Sequence, residues 1–572
     1  YVNGSYVDSG QYADFPHYKI YDEIDINDFV VSGINHIAII IWYYGVPSFT
    51  YYIGKPGVIF EVEQGNRIVV SSDETVLSRK SKQYISGKNE LITTQLGLNF
   101  HVDLRESQDW MFGREVGEFT GSMEQEGMPQ KLLPREIKKP EVKPRTFSEP
   151  VMQGCFNYLS EGEHAGAKMQ HAALSFYRIP EMGEWQEDSI TLQKKNGEGI
   201  FFIVDLQAEM AGYLDFDLEV PQDCPMEIGW GEQLGDGRCR TKIAERNFSV
   251  TVELKQGRNC YMNPFRRLGG RYIQFFIHTD EVKIHYAGLR PTLYPVKISE
   301  YKSGNLLREE IYKVCCNTLL QCMHEHYEDC PWREQAFYAL DSRNQMLCGY
   351  HAFQEYEFPK ASLKLMAQSM REDGLLPICY PTNDKLAIPF FSLSYVLQVS
   401  EYYHYTKERE TVEFCFSTVK RIVDTYISRI DETGLVPNFD GEGCWNFYEW
   451  QPHLNGRNPE GKRYDMCLNA MLSYVLDAFC ELCETMESEV LPYQRIKKAL
   501  NESIVEEFYD EKAQLFNIYR NQSMETYSVL ANALGCLCGA ADVVKNDRIL
   551  RIVMENSSKD EEFEIIPATL SM

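Results

Sequence analysis

Residues 305–327 read NLLREEIYKVCCNTLLQCMHEHY, and at this stretch the hydrophobic pattern of the chain changes its period. Apolar and small side chains recur here every three or four positions, which is the spacing of one face of an α-helix. The members of this stripe are Leu307, Ile311, Val314, Cys315, Thr318, Leu319 and Cys322. The stretch therefore predicts an amphipathic helix and marks the start of a helical region.

Helical periods continue towards the end of the chain. They cover roughly 335–354, 358–371, 391–406, 409–430, 464–486, 491–508, 524–538 and 542–556. A turn pattern recurs between them, as REDGLLP at 371–377, DETGLVP at 431–437 and, in degraded form, DEKAQLF at 510–516. Repeated helical hairpins with a similar turn are typical of an array. We predict a closed toroid of six hairpins over 299–572 in preference to an open solenoid, because long inserts such as 437–463 would carry a site on one face.

Six hairpins require twelve helices, and the periodic segments account for nine. A tenth is predicted to begin at IIPATLSM, residues 565–572. The count predicts that the toroid is C-terminally incomplete within this sequence, with about nine to ten of twelve helices present.

The residues before about 298 have a different texture. Short runs of alternating apolar side chains are separated by Gly, Asn, Asp and Pro, as in GVIFEVEQGNRIVVS (57–71) and AGYLDFDLEV (211–220). Such runs are typical of antiparallel strands at the spacing of a β-sandwich. Pro, Lys and Glu interrupt them after residue 118 with no sustained apolar period. We predict β-sandwiches at 1–118 and 191–298, with a linker and connecting segment at 119–190.

The chain is strongly acidic, since 84 Asp and Glu oppose 57 Lys and Arg for a formal net charge of −27. Such a charge repels polyanions, so nucleic acid is excluded as a predicted partner. No apolar stretch reaches the ~18 residues of a membrane-spanning helix, so no membrane span is predicted. Thirteen of the 17 cysteines follow residue 300, mostly in apolar helical positions. This favours free buried thiols and a reducing compartment, and cytoplasmic and periplasmic locations both stay open.

A cluster of acids occupies the segment EDCPWREQAFYALDSR at 328–343. Pro331 suits the first turn of a helix, so Cys330 or Asp329 is the predicted N-cap. A helix that runs on from there would place Glu334 and Asp341 on one face, with an aromatic residue between them.

Two functions fit such a face. Paired carboxylates hydrolyse glycosides, one protonating the leaving oxygen while the other activates water or attacks. The alternative is a set of solvated acids that complement the helix dipole. Trp332, Arg333 and Tyr338 among these acids favour a sugar-binding cleft, because aromatic faces stack on sugar rings.

A second cluster, GEGCWNFYEWQP at 441–452, supplies Trp445, Tyr448, Glu449 and Trp450 between two predicted helices. We interpret it as a sugar-binding wall, and the alternative is a loop pinned to the core by its aromatic side chains. Metal binding is not predicted, because the HEH at 324–326 lacks the spacing of a zinc helix. The C-x-x-C at 480–483 and the C-x-C at 536–538 lie in apolar runs that favour core packing. No cofactor is predicted.

The segment EDCPWREQAFYALDSR closely resembles the catalytic signature of the bacterial α-L-rhamnosidases of glycoside hydrolase family 78. YVNGSYVDSG at 1–10 is similar to the N-terminal β-sandwich of that family, and FRRLGGRYIQFF at 265–276 is similar to its second β domain. The resemblance implies two antiparallel β-sandwich domains followed by an (α/α)6 barrel.

By this resemblance, Glu334 would be the general acid of an inverting hydrolysis. The residues that would hold rhamnose or line its pocket are Asp329, Arg333, Tyr338, Asp341, Trp445, Glu449 and Trp450. Tyr338 stands where many relatives have Trp. The general base and a small β-sandwich would follow Met572. The implied substrate is a rhamnose-containing oligosaccharide or glycoside, and the alternatives are a non-catalytic rhamnose-binding protein or an (α/α)6 glycosidase for another sugar.

Overall fold

A computed structural model describes residues 1–10, 14–87, 89–114, 119–127, 131–146, 148–162, 164–177, 185–186, 189–456, 461–523, 526–556 and 564–568. The chain divides into two compact units, Tyr1–Ala336 and Phe337–Met572. The first is built mainly from β-strands and the second mainly from helices. The predicted fold class, β domains followed by a helical domain of hairpins, is confirmed. The domain boundaries at 118, 190 and 298 stay predictions.

The first unit contains twenty-three described strands. They are β1 (Lys19–Tyr21), β2 (Glu61–Gln64), β3 (Arg67–Ser71), β4 (Leu77–Ser78), β5 (Leu91–Thr93), β6 (Gly97–Leu98), β7 (His101–Asp103), β8 (Thr120–Gly121), β9 (Leu132–Pro134), β10 (Glu141–Val142), β11 (Glu149–Asn157), β12 (Ala173–Phe176), β13 (Trp185–Gln186), β14 (Ser189–Gln193), β15 (Gly199–Val220), β16 (Cys224–Gly231), β17 (Leu234–Gly235), β18 (Arg238–Cys239), β19 (Lys242–Ile243), β20 (Arg246–Asn247), β21 (Ser249–Leu254), β22 (Gly257–Ile277) and β23 (Glu281–Leu293).

An eleven-stranded sheet organises this unit, with β13-β14-β23-β15-β22-β16-β21-β7 as its main path. The long strands β15, β22 and β23 pair antiparallel. The alternation in LDFDLE explains how β15 is used, because Leu214, Phe216 and Leu218 are buried in the sheet core. The intervening acids are paired instead: Asp215 accepts hydrogen bonds from Arg145, and Asp217 from Arg258.

The N-terminal part of this unit is built from shorter pieces. Four two-stranded pairs, β1–β9, β2–β3, β4–β8 and β5–β6, lie outside the large sheet, and β7 joins its edge parallel to β21. The segment 119–190, which we predict as a linker and connecting segment, contributes β11 and β12 to the large sheet. These strands gave no clear signal in the sequence, because Pro and Lys dominate the residues just before β11.

The described helices are α1 (Ala165–Gln170), α2 (Leu306–Gln321), α3 (Ala339–Ala352), α4 (Glu357–Ala367), α5 (Pro389–Thr406), α6 (Arg409–Ile427), α7 (Met466–Thr485), α8 (Leu491–Phe508), α9 (Val529–Leu537) and α10 (Val543–Asn556), with 3-10 turns at Asn27–Phe29 and Asp109–Phe112. The nine helices predicted after residue 300 are all present. The second unit adds the short strands β24 (Tyr509–Asp510), β25 (Leu515–Phe516), β26 (Thr526–Ser528) and β27 (Glu564–Ile566).

Two helix predictions need correction. The tenth helix predicted at 565–572 is wrong for its first residues, because β27 pairs parallel with β26 there, and residues 569–572 lie outside the described part. In α2 the first part of the apolar stripe is exposed, since Leu307, Ile311 and Val314 are 69%, 53% and 63% exposed. The buried members of the stripe are Leu319 and Cys322 at its end, and Cys316 beside it is buried as well.

The turn repeat read from the sequence is a structural repeat. In two copies, the backbone amide of the motif glycine donates a hydrogen bond to the carbonyl oxygen of the first residue of the motif. Gly374 N–H donates to Arg371 O, and Gly434 N–H donates to Asp431 O. Both glycines have a positive φ, +82° and +73°, which glycine adopts without steric cost. The degraded copy is one residue longer, and Gln514 takes the left-handed conformation in it.

A polar side chain on the following helix completes each repeat. It is the fourth residue of its helix, and its oxygen accepts from the backbone N–H of the second residue of the buried apolar pair. The pairs are Ser392 with Leu376 (3.0 Å), Asn469 with Val436 (2.7 Å) and Asn532 with Phe516 (2.8 Å). The two asparagines also donate to the carbonyl of the same partner. The helical unit is therefore assembled from one recurring module.

Helix α7 is long and apolar enough to span a membrane by length and composition, which the count of apolar residues in the sequence did not reveal. Within the described chain 78% of its most apolar window is buried inside the protein. Its neighbours α5, α8 and α9 pack against it. The apolarity of α7 is therefore that of a core helix.

Candidate functional site

The acid-bearing segment forms a loop, which contradicts the predicted helix. Pro331–Glu334 form turns, Gln335 has φ +52°, and α3 begins only at Ala339 with Tyr338 in an extended conformation. A left-handed residue cannot continue a right-handed helix. Glu334 and Asp341 therefore do not share a helical face, and neither Cys330 nor Asp329 is the N-cap.

The loop closes on itself between its first and last residues. Asp329 N–H donates to Ala336 O at 2.9 Å, and Ala336 N–H donates to Asp329 Oδ1 at 3.1 Å. A carboxylate that accepts a backbone N–H forms a charge-assisted bond of above-average strength. Asp329, predicted as a sugar contact, thus has a second use that its sequence position did not reveal: it closes the acid loop, defined here as residues 329–336.

The acid loop rests on the large sheet. The Trp332 ring lies 4.8 Å from the Phe248 ring and belongs to the sheet core. Gln335 Nε2 donates to Pro331 O at 2.6 Å and to Arg267 O at 3.3 Å. The sheet therefore holds the loop by packing and by hydrogen bonds, and Trp332 is a core residue, not a cleft aromatic.

Glu334 is nearly buried, with 8% of its surface exposed, and it lies among cations. Arg333 Nη1 donates to Glu334 Oε1, and Arg246 Nη2, from strand β20, lies 3.8 Å from the same oxygen. Arg246 was missed in the sequence, because it precedes Glu334 by almost ninety residues and belongs to a domain predicted to brace the barrel.

Two further carboxyl groups, those of Glu209 and Glu232, lie near each other, and Glu232 also lies near Arg333. Burial, followed by repulsion from Glu232, raises the pKa of Glu209 to about 8. Burial also raises the pKa of Glu232, while Arg333 acts in the opposite direction. Glu209 Oε1 is buried and has no hydrogen-bond partner among the described residues. Neither acid gave a sequence signal, since Glu209 sits in an ordinary strand pattern and Glu232 directly follows one.

The residues just before the loop form a buried ionic cluster. Arg267 pairs with Glu328, and His324 Nδ1 lies 3.8 Å from the same carboxylate. Burial raises the pKa of Glu328 to about 7, against the attraction of Arg267. Burial, assisted by Arg267, lowers the pKa of His324. In the part of the chain that the structure describes, no group of three or more His, Cys, Asp or Glu side chains is placed to hold a metal ion.

The other predicted residues lie in the second unit. Tyr338 precedes α3, and Asp341 lies in its first turn, where an acid complements the helix dipole. Trp445 and Trp450 meet edge to face at 5.6 Å, and Phe447 contacts both rings. These three aromatic residues, 445, 447 and 450, are called the tryptophan cluster below.

The tryptophan cluster combines both interpretations of its segment. Tyr448 and Glu449 are buried, and Tyr448 Oη donates to Asp465 Oδ2 at 2.7 Å, so these residues pin the segment to the core. Trp450 is 62% exposed and Trp445 is half-buried, so indole surface is open to solvent. The predicted set is thus divided, with Asp329, Arg333 and Glu334 in the first unit and the remaining members in the second.

Comparison with known protein families gives a match to the C-terminal part of the chain. Residues 297–559 match the family model of the bacterial α-L-rhamnosidase six-hairpin glycosidase domain. The matched segment includes the acid loop and all helices of the second unit. No curated protein sequence matches the chain.

Solved structures match more of the chain. A family 78 rhamnosidase of Bacillus sp. GL1 is similar with a TM-score of 0.81 at 18% identity, over 99% of this chain and 78% of that one. A Klebsiella oxytoca rhamnosidase with bound rhamnose gives 0.57 at 18%, over 72% and 80%. The Streptomyces avermitilis α-L-rhamnosidase complexed with L-rhamnose gives 0.66 at 14%, over 97% of this chain and 50% of that one. At these identities the similarity concerns the fold.

Proposed function

We propose that this chain, whose residues 297–559 match the bacterial α-L-rhamnosidase six-hairpin glycosidase domain, is a glycoside hydrolase that releases terminal α-L-rhamnose by inversion, with Glu334 as general acid. The substrates would be rhamnose-bearing glycosides or plant polysaccharides. The observation that carries the assignment is the nearly buried Glu334 carboxyl group, paired with Arg333 on a loop inside the matched segment.

The acid role requires a proton on Glu334, whose Oε1 accepts a hydrogen bond from Arg333 in the unliganded arrangement. We propose that rhamnose hydroxyls attract Arg333 away from Glu334 when substrate binds. The carboxyl group would then be free to deliver a proton to the glycosidic oxygen. Asp329 would accept from a second hydroxyl while it keeps the loop closed.

Inversion needs a second carboxylate that activates water on the opposite face of the sugar ring. We assign this role to no described residue. In the second unit, the proposed sugar contacts are the open indole faces of Trp445 and Trp450, which offer stacking surface. Tyr338, Asp341 and Glu449 are the proposed hydrogen-bonding groups of that unit.

The decisive experiment is hydrolysis of an aryl α-L-rhamnoside by the wild type, Glu334→Gln and Glu245→Gln. Glu245 is an exposed glutamate of the same unit, between β19 and β20, so its replacement serves as the matched control. We expect Glu334→Gln to lower kcat by about 10²- to 10⁴-fold, because one general acid contributes that much. Unchanged activity would remove Glu334 from the acid role.

The first-formed product decides the stereochemistry. Proton NMR during early turnover should show β-L-rhamnose before mutarotation if the reaction inverts. Rhamnose binding by calorimetry without turnover would instead identify a carbohydrate-binding protein. Turnover of a different aryl glycoside in a panel would identify another six-hairpin activity.

A further inference from the structure

Strand β22 of the large sheet contacts the acid loop, and its neighbours there are β15 and the end of β16. Gly269 of β22 pairs with Ala211 of β15, and Gly231 closes β16 opposite Tyr272 of β22. Gly269 belongs to the pair of glycines in FRRLGGRY. Neither Gly231 nor Gly269 is needed for a positive φ, because both lie in extended strands. Their small size must therefore serve contact with another part of the chain.

That contact is the acid loop. A Cβ atom built on Gly269 would lie 1.9 Å from Pro331 O, 2.3 Å from Pro331 C and 3.0 Å from Trp332 N. These are backbone atoms, so a side chain at 269 cannot be accommodated by a rotamer change. A Cβ on Gly231 would lie 3.5 Å from the Trp332 ring, which is an ordinary contact. Residue 269 is thus the point at which sheet and loop backbones touch.

The same carbonyl is held from its other side. Gln335 Nε2 donates to Pro331 O and also to Arg267 O, two residues before Gly269 on β22. Glu334 lies between Trp332, which is packed on Phe248, and Gln335. Any displacement of Pro331 is therefore passed directly to Glu334 through a loop whose ends are closed by Asp329 and Ala336.

We propose that Gly269 is a positioning residue for the catalytic acid. Because residue 269 has no side chain, the Pro331 backbone can approach strand β22 closely, and this distance determines the position of the Glu334 carboxyl group. This inference rests on the proposed role of Glu334. It gives the β-sheet unit a part in the reaction beyond bracing.

The reaction itself offers a selective readout. Cleavage of the glycosidic bond with a poor leaving group needs a proton on the departing oxygen, and Glu334 supplies it. A strongly acidic leaving group such as 2,4-dinitrophenol departs as the anion and needs no proton. A misplaced acid should therefore slow the first class of substrate and spare the second, whereas general damage to the protein should slow both.

We would compare the wild type with Gly269→Ala and Gly270→Ala on alkyl, 4-nitrophenyl and 2,4-dinitrophenyl α-L-rhamnosides. Gly270 is the matched control, because the nearest atoms to a Cβ there are those of the Gly231 backbone, at 3.0 to 3.3 Å, and not those of the loop. For Gly269→Ala we expect kcat on the alkyl rhamnoside to fall about 10²-fold, the effect of a misplacement near 1 Å, and the dinitrophenyl rate to change less than about threefold. Gly270→Ala should lower all rates in equal proportion or leave them unchanged.

A uniform loss across leaving groups in Gly269→Ala, or no loss, would overturn the proposal. Gln335→Ala serves where Gly269→Ala does not fold, and it should show the same selective loss because Pro331 O then lacks its side-chain donor. Hydrogen–deuterium exchange of the peptide over 329–336 gives a readout free of activity. We expect faster exchange in Gly269→Ala but not in Gly270→Ala. If this difference is found but the wild type hydrolyses no rhamnoside, the proposed function alone is refuted. Equal exchange in both variants would refute the placement of the loop by Gly269.

Discussion

The acid loop and the repeated turns of the helical unit are both short connections that lead into a helix, yet they are held in different ways. Each turn closes through its own backbone hydrogen bonds and through one polar residue at the fourth position of the next helix. The acid loop is closed by Asp329 but receives its position from Gly269 and Phe248, sixty or more residues earlier.

This difference corresponds to two uses, since the repeated turns stabilise the helical unit and the acid loop carries the proposed catalytic residue. A turn that is held by residues close in sequence can be repeated along the chain, and a substitution in one copy affects that copy alone. A loop placed by distant backbone contacts has one position, which suits a proton donor that must meet its acceptor within a fraction of an ångström. The experiments below change one type of support at a time.

The largest effect is expected where the loop enters the sheet core. Trp332→Ala should lower the free energy of unfolding by about 3–5 kcal/mol, because it empties a buried aromatic site against Phe248. Trp332→Phe is the control: it keeps ring packing, and the indole N–H that it removes has no hydrogen-bond partner among the described residues. Chemical denaturation should show a loss of about 1 kcal/mol or less for Trp332→Phe. Equal losses in the two variants would contradict a packing role.

The module of the helical unit is tested by Asn469→Ala. This change leaves both backbone groups of Val436 without their side-chain partner, so we expect a loss of about 2–3 kcal/mol. Ser392→Ala at the equivalent position removes one acceptor and should cost about 1 kcal/mol. Denaturation monitored by circular dichroism at 222 nm measures both. A reversed order would show that the repeat is not held by these side chains.

The carboxyl group of Glu209 predicts a pH effect in the sheet unit. Its pKa is raised to about 8, so the folded state keeps a proton that the unfolded chain releases near pH 4.5. Stability is therefore lost as pH rises between these values, and Glu209→Gln should remove that loss. Relative to the wild type, the variant should gain on the order of 1 kcal/mol between pH 5 and pH 8 after allowance for partial exposure. Thermal unfolding at both pH values measures the difference, and a constant difference would contradict the assignment.

The smallest effect is expected at the turn residue Asp431. Burial acts to raise the pKa of Asp431, but hydrogen bonds from Lys462, Thr433 and Tyr464 outweigh it and hold the pKa well below its usual range. The stability that this lowered pKa provides is present above about pH 4 and is lost as pH falls further. Asp431→Asn should cost about 1 kcal/mol or less at pH 7, and the difference should shrink below pH 4. Asp373→Asn, in the equivalent turn, provides the comparison.

The sequence predicted the features that are determined by residues close to one another in the chain. These are the three turns, the nine helices after residue 300 and the alternation of β15, all of which the local patterns predicted correctly. The acid loop was predicted as a helix, because Pro331 and the acids after it are typical of a helix start. What prevents that helix is the left-handed Gln335 and the contact with Gly269, and neither leaves a local mark.

The candidate site divides along the same line. Glu334 was identified from its segment, and its near-complete burial on the acid loop supports the proposed role. Arg246, Glu209 and Glu232 could not be identified, since their proximity to the acid loop arises from the pairing of strands far apart in sequence. The exposure of Leu307, Ile311 and Val314 in α2 could not be predicted for a related reason. Helical spacing identifies an apolar face, but it does not show which part of the protein covers that face.

The contact between Gly269 and Pro331 also bears on how such enzymes evolve. Similarity to the family domain begins at residue 297, downstream of Gly269 and Phe248. A recombination event at that border would transfer Glu334 to a new host without the strands that seat its loop. On the proposal made above for Gly269, we expect gene fusions that keep the activity to inherit the strands with Gly269 and Phe248 together with the acid loop.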